Sequence, residues 1–148
     1  MAVKDQIAAD LKEAMRARDQ VKVDALRAVL SAFSYRKIEA GKELSDDEQL
    51  EVVRKQVKQR DDSIDQFKKG GREELAAKET RERDILVAYL PVQKSADEVR
   101  AVVRGAIASL PAGSNQGAVM KAVMPQLRNL ADGKLVGQIV SEELAAAT

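Results

Sequence analysis

The 148-residue sequence contains no cysteine and no histidine. Without cysteine there can be no disulfide bond, no thiolate nucleophile and no cysteine-ligated zinc. Without histidine the chain lacks the commonest metal ligand and the side chain that most often acts as a general base near neutral pH. We therefore expect no catalytic residues, no metal and no cofactor, and we expect no enzymatic activity from this chain by itself.

Aromatic residues make up only 3% of the chain and tryptophan is absent, so any hydrophobic core has to be built from aliphatic side chains. No apolar run approaches the ~20 residues that a membrane helix needs. The N-terminal segment MAVKDQIAADLKEAM also lacks the apolar core of a signal peptide. We expect no membrane partner and a cytoplasmic location.

Charged residues make up 33% of the chain, yet the formal net charge is only +1. No overall electrostatic field therefore favours nucleic acid or an anionic membrane. If the protein has a basic binding site, that site must be local.

The first 90 residues are rich in strong helix formers, and apolar residues recur in them every three or four positions. This spacing predicts helices over about 3–18, 20–40, 46–69 and 72–89. Ser45 and Glu48 have the spacing of a capping box, and Gly70-Gly71 has the composition of a helix end. We expect the third helix to be about 35 Å long and the fourth to fold back antiparallel against it as a hairpin.

The helical pattern breaks at Leu90-Pro91, because proline disfavours helical geometry in the residue before it. The segments after Pro91 are also shorter and less charged than those before it. A second capping box, Ser95 to Glu98, begins a predicted helix that ends near Leu110. Two shorter helices are predicted over 115–124, with Pro125 as the stop, and from Asp132 onward. No segment alternates with period two, so we predict an all-α protein. It has an N-terminal helical lobe with a long hairpin, residues 1–90, and a small three-helix tail domain, residues 91–148.

Ser63 lies among Asp61, Asp62 and Asp65 in the long predicted helix. Immediate neighbours on a helix do not face one another, so this group does not resemble an activated nucleophile. Asp61 and Asp65 do share a face. We interpret the group as a solvated helix face beside Arg60 rather than as a metal or acid–base cluster.

The segment GSNQGAVMK, residues 113–121, has the glycines of a phosphate loop but lacks the Gly-Lys-Ser/Thr ending, and no strand precedes it. Its glycines are more typical of a helix end followed by a helix start. Amide groups at a helix start can nevertheless hold a phosphate, so weak binding of a nucleic-acid backbone stays open here.

Two segments carry locally concentrated cations. The first, RKQVKQR, residues 54–60, contains Arg54, Lys55 and Lys58, and we favour its interpretation as a solvated helix face, because nearby acidic residues offset its charge. The second contains Lys121, Arg128 and Lys134, with only Asp132 opposing them. If Asp132 caps the last helix, backbone amides occupy its carboxylate, and the three cations dominate locally. Contacts from such residues to phosphates would be sensitive to salt and largely independent of base sequence. A capped helix with ordinary surface lysines explains the same residues, and the residues alone favour that interpretation.

The segment KAVMPQLRNLADGKLVGQIVSEEL, residues 121–144, resembles the C-terminal signature of the YqeY-like family. It also resembles the tail domain of the GatB subunit of the tRNA-dependent amidotransferases. The matching features are Lys121, Met124-Pro125, the turn Ala131-Asp132-Gly133-Lys134, Leu135-Val136 and Ile139-Val140. Segments 10–19, 57–79 and 85–91 resemble the YqeY pattern too. Gly137 departs from that pattern, in which a polar residue such as asparagine is expected.

In the amidotransferase, the corresponding tail grips the tRNA, while a separate cradle domain and a glutaminase subunit perform the chemistry. The resemblance therefore implies a non-catalytic module that binds tRNA or another RNA. Lys121, Arg128 and Lys134 are the candidate phosphate contacts, with Arg54, Lys55 and Lys58 as further candidates. Pro125, Ala131, Asp132 and Gly133 are signature residues with a structural role.

Two other functions remain open. One is a protein-interaction adaptor that docks its long helical hairpin on a partner. The other is an auxiliary component of the translation or amidotransferase machinery. The family is associated with carbon–nitrogen ligase activity that uses glutamine as the amide donor, but the sequence has no room for the cradle domain, and we do not expect that reaction from this chain alone.

Overall fold

The structure is a computed structural model that describes residues 2–147. Within that range the chain forms seven α-helices and no β-strand. The helices are α1 (Val3–Ala17), α2 (Gln20–Ala40), α3 (Asp46–Lys69), α4 (Glu73–Val87), α5 (Ala96–Ser109), α6 (Gln116–Leu127) and α7 (Gly133–Ala146). The prediction of an all-α fold with a long hairpin and a three-helix tail is confirmed. No helix in this range has both the length and the apolar character needed to cross a membrane.

The chain divides into two compact units, one that ends at Leu90 and one that begins at Pro91. The first unit contains α1 to α4, and the second contains α5 to α7. In the first unit, α3 and α4 pack along each other as the hairpin, and α2 packs on both of them. Its core is aliphatic apart from the ring of Phe33, and it consists of Ile7, Ala25, Leu26, Val29, Phe33, Val52, Val53 and Leu86.

A short turn closes the hairpin between α3 and α4. Gly71 has a φ of 72°, a left-handed conformation that glycine adopts without a steric penalty. The Arg72 amide donates to the Phe67 carbonyl at 2.8 Å, which closes the end of α3. The chain therefore reverses direction within three residues.

Arg60 connects the two helices of the hairpin. This corrects the interpretation of residues 54–60 as a solvated helix face, as far as Arg60 is concerned. Its side chain is only 14% exposed and pairs with Glu79 at 3.0 Å and with Glu82 on α4. Burial raises the pKa of the Glu82 carboxyl above its ordinary value, although Arg60 acts in the opposite direction. The solvated interpretation is wrong for Arg60 because α4 covers that face of α3.

Gln49 of α3 supplies the N-terminal cap that α1 lacks. Ala2, at the cap position of α1, has no side chain that can accept a hydrogen bond. The Oε1 atom of Gln49 accepts from the Lys4 amide at 3.0 Å, and its Nε2 donates to the Leu44 carbonyl at 3.3 Å. Because Gln49 is buried, these two bonds give its side-chain amide the partners that it loses from water on folding.

The core of the second unit is entirely aliphatic and consists of Val99, Val103, Val119, Val123, Leu127, Ala131, Val136, Ile139 and Val140. The prediction that the middle helix ends at Pro125 is wrong, because α6 continues to Leu127 with Pro125 inside it. Proline forfeits one amide hydrogen bond in the last turn. Full burial of Leu127 and a bond from the Arg128 amide to the Met124 carbonyl at 2.8 Å offset that loss.

Candidate nucleic-acid interface

The solvent-facing side of α6 carries two of the candidate cations. Gly117, Lys121, Pro125 and Arg128 are all exposed, and their spacings of four, four and three residues place them on one face. Arg128 is the C-terminal cap residue of α6. Lys121 and Arg128 are two helical turns apart, about 10 Å along the axis. The helix thus presents both side chains in the same direction.

The turn between α6 and α7 carries Lys134 to the beginning of α7. Asp132 is the N-cap of α7, and its Oδ1 accepts a hydrogen bond from the Lys134 amide at 3.1 Å. The Asp132 carboxylate is therefore engaged with the backbone. Lys134 is exposed in the first helical turn.

Hydrogen bonds from the start of the second unit hold this turn in place. The Lys94 amide donates to the Leu130 carbonyl at 2.7 Å, and Gln93 Nε2 donates to the Asn129 carbonyl at 2.9 Å. Ala131 is buried in the core, and its amide donates to the Leu127 carbonyl at 3.1 Å. Sequence reasoning missed Gln93 and Lys94, because they are more than 30 residues from the turn that they hold.

The acidic residues at the end of α7 are paired with arginines of α5. Arg100 donates to Glu142 and to Glu143 at 2.7 Å each, and Arg104 donates to Glu143 at 3.0 Å. These bonds lower the pKa of both carboxyls, with Arg104 the leading cause for Glu143 and Arg100 for Glu142. The sequence did not predict this cluster.

This pairing determines where positive charge is concentrated in the second unit. Between Glu98 and Glu142 the sequence contains a single acidic residue, Asp132. Arg100 and Arg104, the other cations of that stretch, are committed to the α7 carboxylates. The single acidic residue of this stretch, Asp132, already caps α7. The same stretch contains Lys121, Arg128 and Lys134.

The other candidate cations lie in the first unit, on α3. Lys55 and Lys58 are exposed, whereas Arg54 is partly buried. Asp47 and Glu51 precede Arg54 by seven and three residues and therefore share its helix face. Unlike the cations of the second unit, this set is accompanied by acidic side chains on its own face.

The acidic residues around Ser63 differ in their contacts. Asp61 pairs with Arg83 of α4 at 3.2 Å, and Asp62 and Asp65 are exposed. Among residues 2–147, no three potential ligand side chains converge as a metal site requires. The helix start that weakly resembles a phosphate loop is capped by Asn115, whose side chain accepts from the Ala118 amide at 2.9 Å.

Comparisons with known proteins identify the relatives of this chain. Residues 4–144 match the profile of the family described as Yqey-like protein. Relatives from three fungal species carry the name "Altered inheritance of mitochondria protein 41, mitochondrial". The Saccharomyces cerevisiae protein is 39% identical over 92 residues, which is 60% of this chain and 50% of the relative. The Candida glabrata protein is 38% identical over 93 residues, 60% of this chain and 51% of the relative.

The Pyrenophora tritici-repentis protein is 28% identical over 146 residues, 95% of this chain and 80% of the relative. The match spans about half the length of the yeast relatives. The family match, by contrast, runs through all seven helices of this chain. The resemblance to the YqeY-like family is thereby confirmed, and the chain belongs to that family.

Proposed function

We propose that this chain is a non-catalytic RNA-binding module whose partner is tRNA or a similarly folded RNA. Lys121, Arg128 and Lys134 of the second unit contact the phosphate backbone. The observation that carries the proposal is the separation of charge in that unit. The α7 carboxylates are paired with α5 arginines, and the three cations lie in a stretch whose one acid caps a helix.

The electrostatics of the second unit support a small, salt-sensitive interface. The positive end of the α7 dipole lies beside Lys134 and adds to the attraction for an anion. With about three phosphate contacts, the logarithm of the binding constant falls with the logarithm of salt concentration at a slope of roughly −2 to −3. Such contacts recognise the backbone rather than the bases.

The fixed turn between α6 and α7 supports the same proposal. The bonds from Gln93 and Lys94 hold the backbone between Arg128 and Lys134. Cations displayed on a preformed backbone lose less conformational entropy on binding than cations on a mobile loop. Arg54, Lys55 and Lys58 remain secondary candidates, because acidic residues share their face of α3.

The test is a titration of a labelled tRNA transcript by fluorescence anisotropy at several salt concentrations. The triple variant Lys121→Gln, Arg128→Gln, Lys134→Gln is compared with a control, Lys12→Gln, Lys68→Gln, Lys69→Gln, which removes the same charge from exposed positions of the first unit. We expect each of the three substitutions in the first variant to reduce the salt slope by roughly one, and we expect the control to keep the original slope. Equal reductions in both variants, or no salt-dependent binding by the unaltered chain, would refute the proposal.

The adaptor function of the hairpin stays a hypothesis without a specific observation in its favour. In the described chain, the large apolar side chains that α3 and α4 expose are Leu75 and Val87, at opposite ends of α4. They do not form a continuous apolar strip. For the auxiliary amidotransferase role, we expect any activity to require added subunits.

A cytoplasmic location remains our proposal for this chain. The fungal relatives are mitochondrial by name. Fractionation of cells that express the tagged chain at its native level would decide between the two compartments.

A further inference from the structure

The C-terminal third of α2 presents two large apolar side chains to solvent. Tyr35 is 73% exposed and Ile38 is 78% exposed. Because they are three residues apart, they are neighbours on one helix face. The one large apolar residue in the described chain that is more exposed, Val92 at 93%, lies outside any helix.

An open groove lies beside Ile38. It is lined by Lys4, Ser34, Lys37, Ile38, Lys42 and Glu43, together with Gly41. Gly41 ends α2 with a φ of 67°, and its amide donates to the Lys37 carbonyl at 3.0 Å and to the Ile38 carbonyl at 3.2 Å. The backbone that carries the exposed residues is therefore fixed before any partner arrives.

The rim of the groove has more positive than negative charge. Three lysines line it, against one carboxylate, Glu43. Glu43 pairs with Lys37 at 2.5 Å, and Lys4 adds to the field that lowers the pKa of this carboxyl. Lys42 lies 4.0 Å from Glu48, at the limit of an ion pair. The Glu48 carboxylate also accepts a hydrogen bond from the Ser45 amide. Lys4 and Lys42 are therefore the cations best placed to meet an incoming acidic group.

We propose that this surface, formed by Tyr35, Ile38 and the groove beside Ile38, binds an acidic segment of a partner protein that places a large apolar side chain against Ile38. Exposed apolar patches rimmed by polar residues mark interaction sites, and tyrosine is enriched among the residues that dominate binding energy. The lysine rim selects for acidic segments and increases the rate of encounter.

A protein segment fits these residues better than a nucleic acid does. Tyr35 could stack on a base, but Ile38 offers an aliphatic surface that bases do not require. This surface lies in the first unit, so its test does not depend on the RNA interface proposed for the second.

The experiment uses the full chain and three fluorescein-labelled helical peptides of about 16 residues, a length at which isolated helices can form. All three share one leucine stripe, and their polar positions are all glutamate, all glutamine or all lysine. We expect the glutamate peptide to bind about tenfold more tightly than the lysine peptide in a fluorescence anisotropy titration. The double variant Tyr35→Ser, Ile38→Ser should weaken that binding about tenfold, whereas the control Val92→Ser should leave it unchanged.

A second pair of variants separates the lysine rim from the apolar anchor. Lys4→Gln with Lys42→Gln should reduce the preference for the glutamate peptide over the glutamine peptide, and Lys12→Gln should not. Circular dichroism checks folding, and melting should change little because the substituted side chains are exposed, apart from the partly buried Lys4.

Several results would overturn the proposal. One is equal affinity for the three peptides, and another is equal weakening by the Val92→Ser control. Loss of tRNA binding in the Tyr35→Ser, Ile38→Ser variant would identify a nucleic-acid surface instead. Self-association of the unaltered chain that the same variant abolishes would identify a second copy as the occupant.

Discussion

Replacing Arg60 by methionine tests the internal ion-pair cluster of the hairpin most directly. The substitution keeps much of the aliphatic bulk but leaves Glu82, whose side chain is 5% exposed, without its arginine partner. Removing one partner of a buried pair costs about 3–5 kcal/mol. We expect about 3 kcal/mol, the lower end of that range, because Lys78 remains 3.9 Å from Glu82 and Glu79 keeps some exposure to water.

The loss of stability should also depend on pH in a defined direction. The pKa of Glu82 is already raised by burial, and removal of Arg60 raises it further. A carboxyl with a raised folded-state pKa favours the folded state below its unfolded pKa, and this contribution is lost as pH rises through the folded pKa. The deficit of the Arg60→Met variant should therefore be larger near pH 8 than near pH 5.

Urea unfolding followed by tyrosine fluorescence measures this effect in the first unit alone. The chain has two tyrosines, Tyr35 and Tyr89, and no tryptophan, and both tyrosines precede Pro91. The matched control is Arg83→Met, which removes an ion pair between the same two helices. Arg83 and Asp61 are each more than a third exposed, so we expect a loss of at most about 1 kcal/mol.

A double variant completes the test. Arg60→Met with Glu82→Leu removes both buried charges, and replacing a buried pair by apolar residues is often close to neutral. We expect it to recover most of the lost stability and to abolish the difference between the two pH values. The prediction is wrong if Arg60→Met loses no more stability than Arg83→Met, or if the loss does not change with pH. Either result would show that Glu82 is not left as a buried charge without its partner.

Three further predictions concern the remaining polar contacts and the helix glycine. Gln49→Ala should lower the free energy of unfolding of the first unit by about 1–2 kcal/mol, because the partly buried Lys4 amide loses its capping acceptor. Tyrosine fluorescence in urea measures this loss, and a change below about 0.5 kcal/mol would contradict the prediction. Gly137→Ala should raise the free energy of unfolding of the second unit by about 0.5–1 kcal/mol, because alanine favours a helix and its Cβ meets no atom within 4 Å. Calorimetry measures this change, and a lower free energy of unfolding would show a steric conflict. The pKa of Glu143 is lowered, so its stabilising contribution exists above its unfolded pKa and is lost as pH falls through the folded value. Arg100→Gln should therefore make helicity, measured by circular dichroism, depend less steeply on pH in the acid range. An unchanged pH dependence would show that these ion pairs do not determine stability in acid.

The candidate interface was partly predictable from local sequence. The cap formed by Asp132 on α7 involves a neighbour two residues away, so composition and spacing suffice to propose it. The pairing of Glu143 with Arg100 and Arg104 spans 43 and 39 residues. No local pattern predicts such a pairing, yet it determines where positive charge is concentrated in the second unit.

The sequence by itself determined the helical class, most of the helix boundaries, the local caps and the aliphatic character of both cores. These features depend on hydrogen bonds and periodicities within a few residues, which any stretch of chain encodes locally. Only the tertiary structure decided that Arg60 is enclosed by α4, that Gln49 caps a different helix, and that α6 continues past Pro125. Each of these outcomes depends on how helices are rotated against one another, and that rotation is set by the packing of side chains that are distant in sequence.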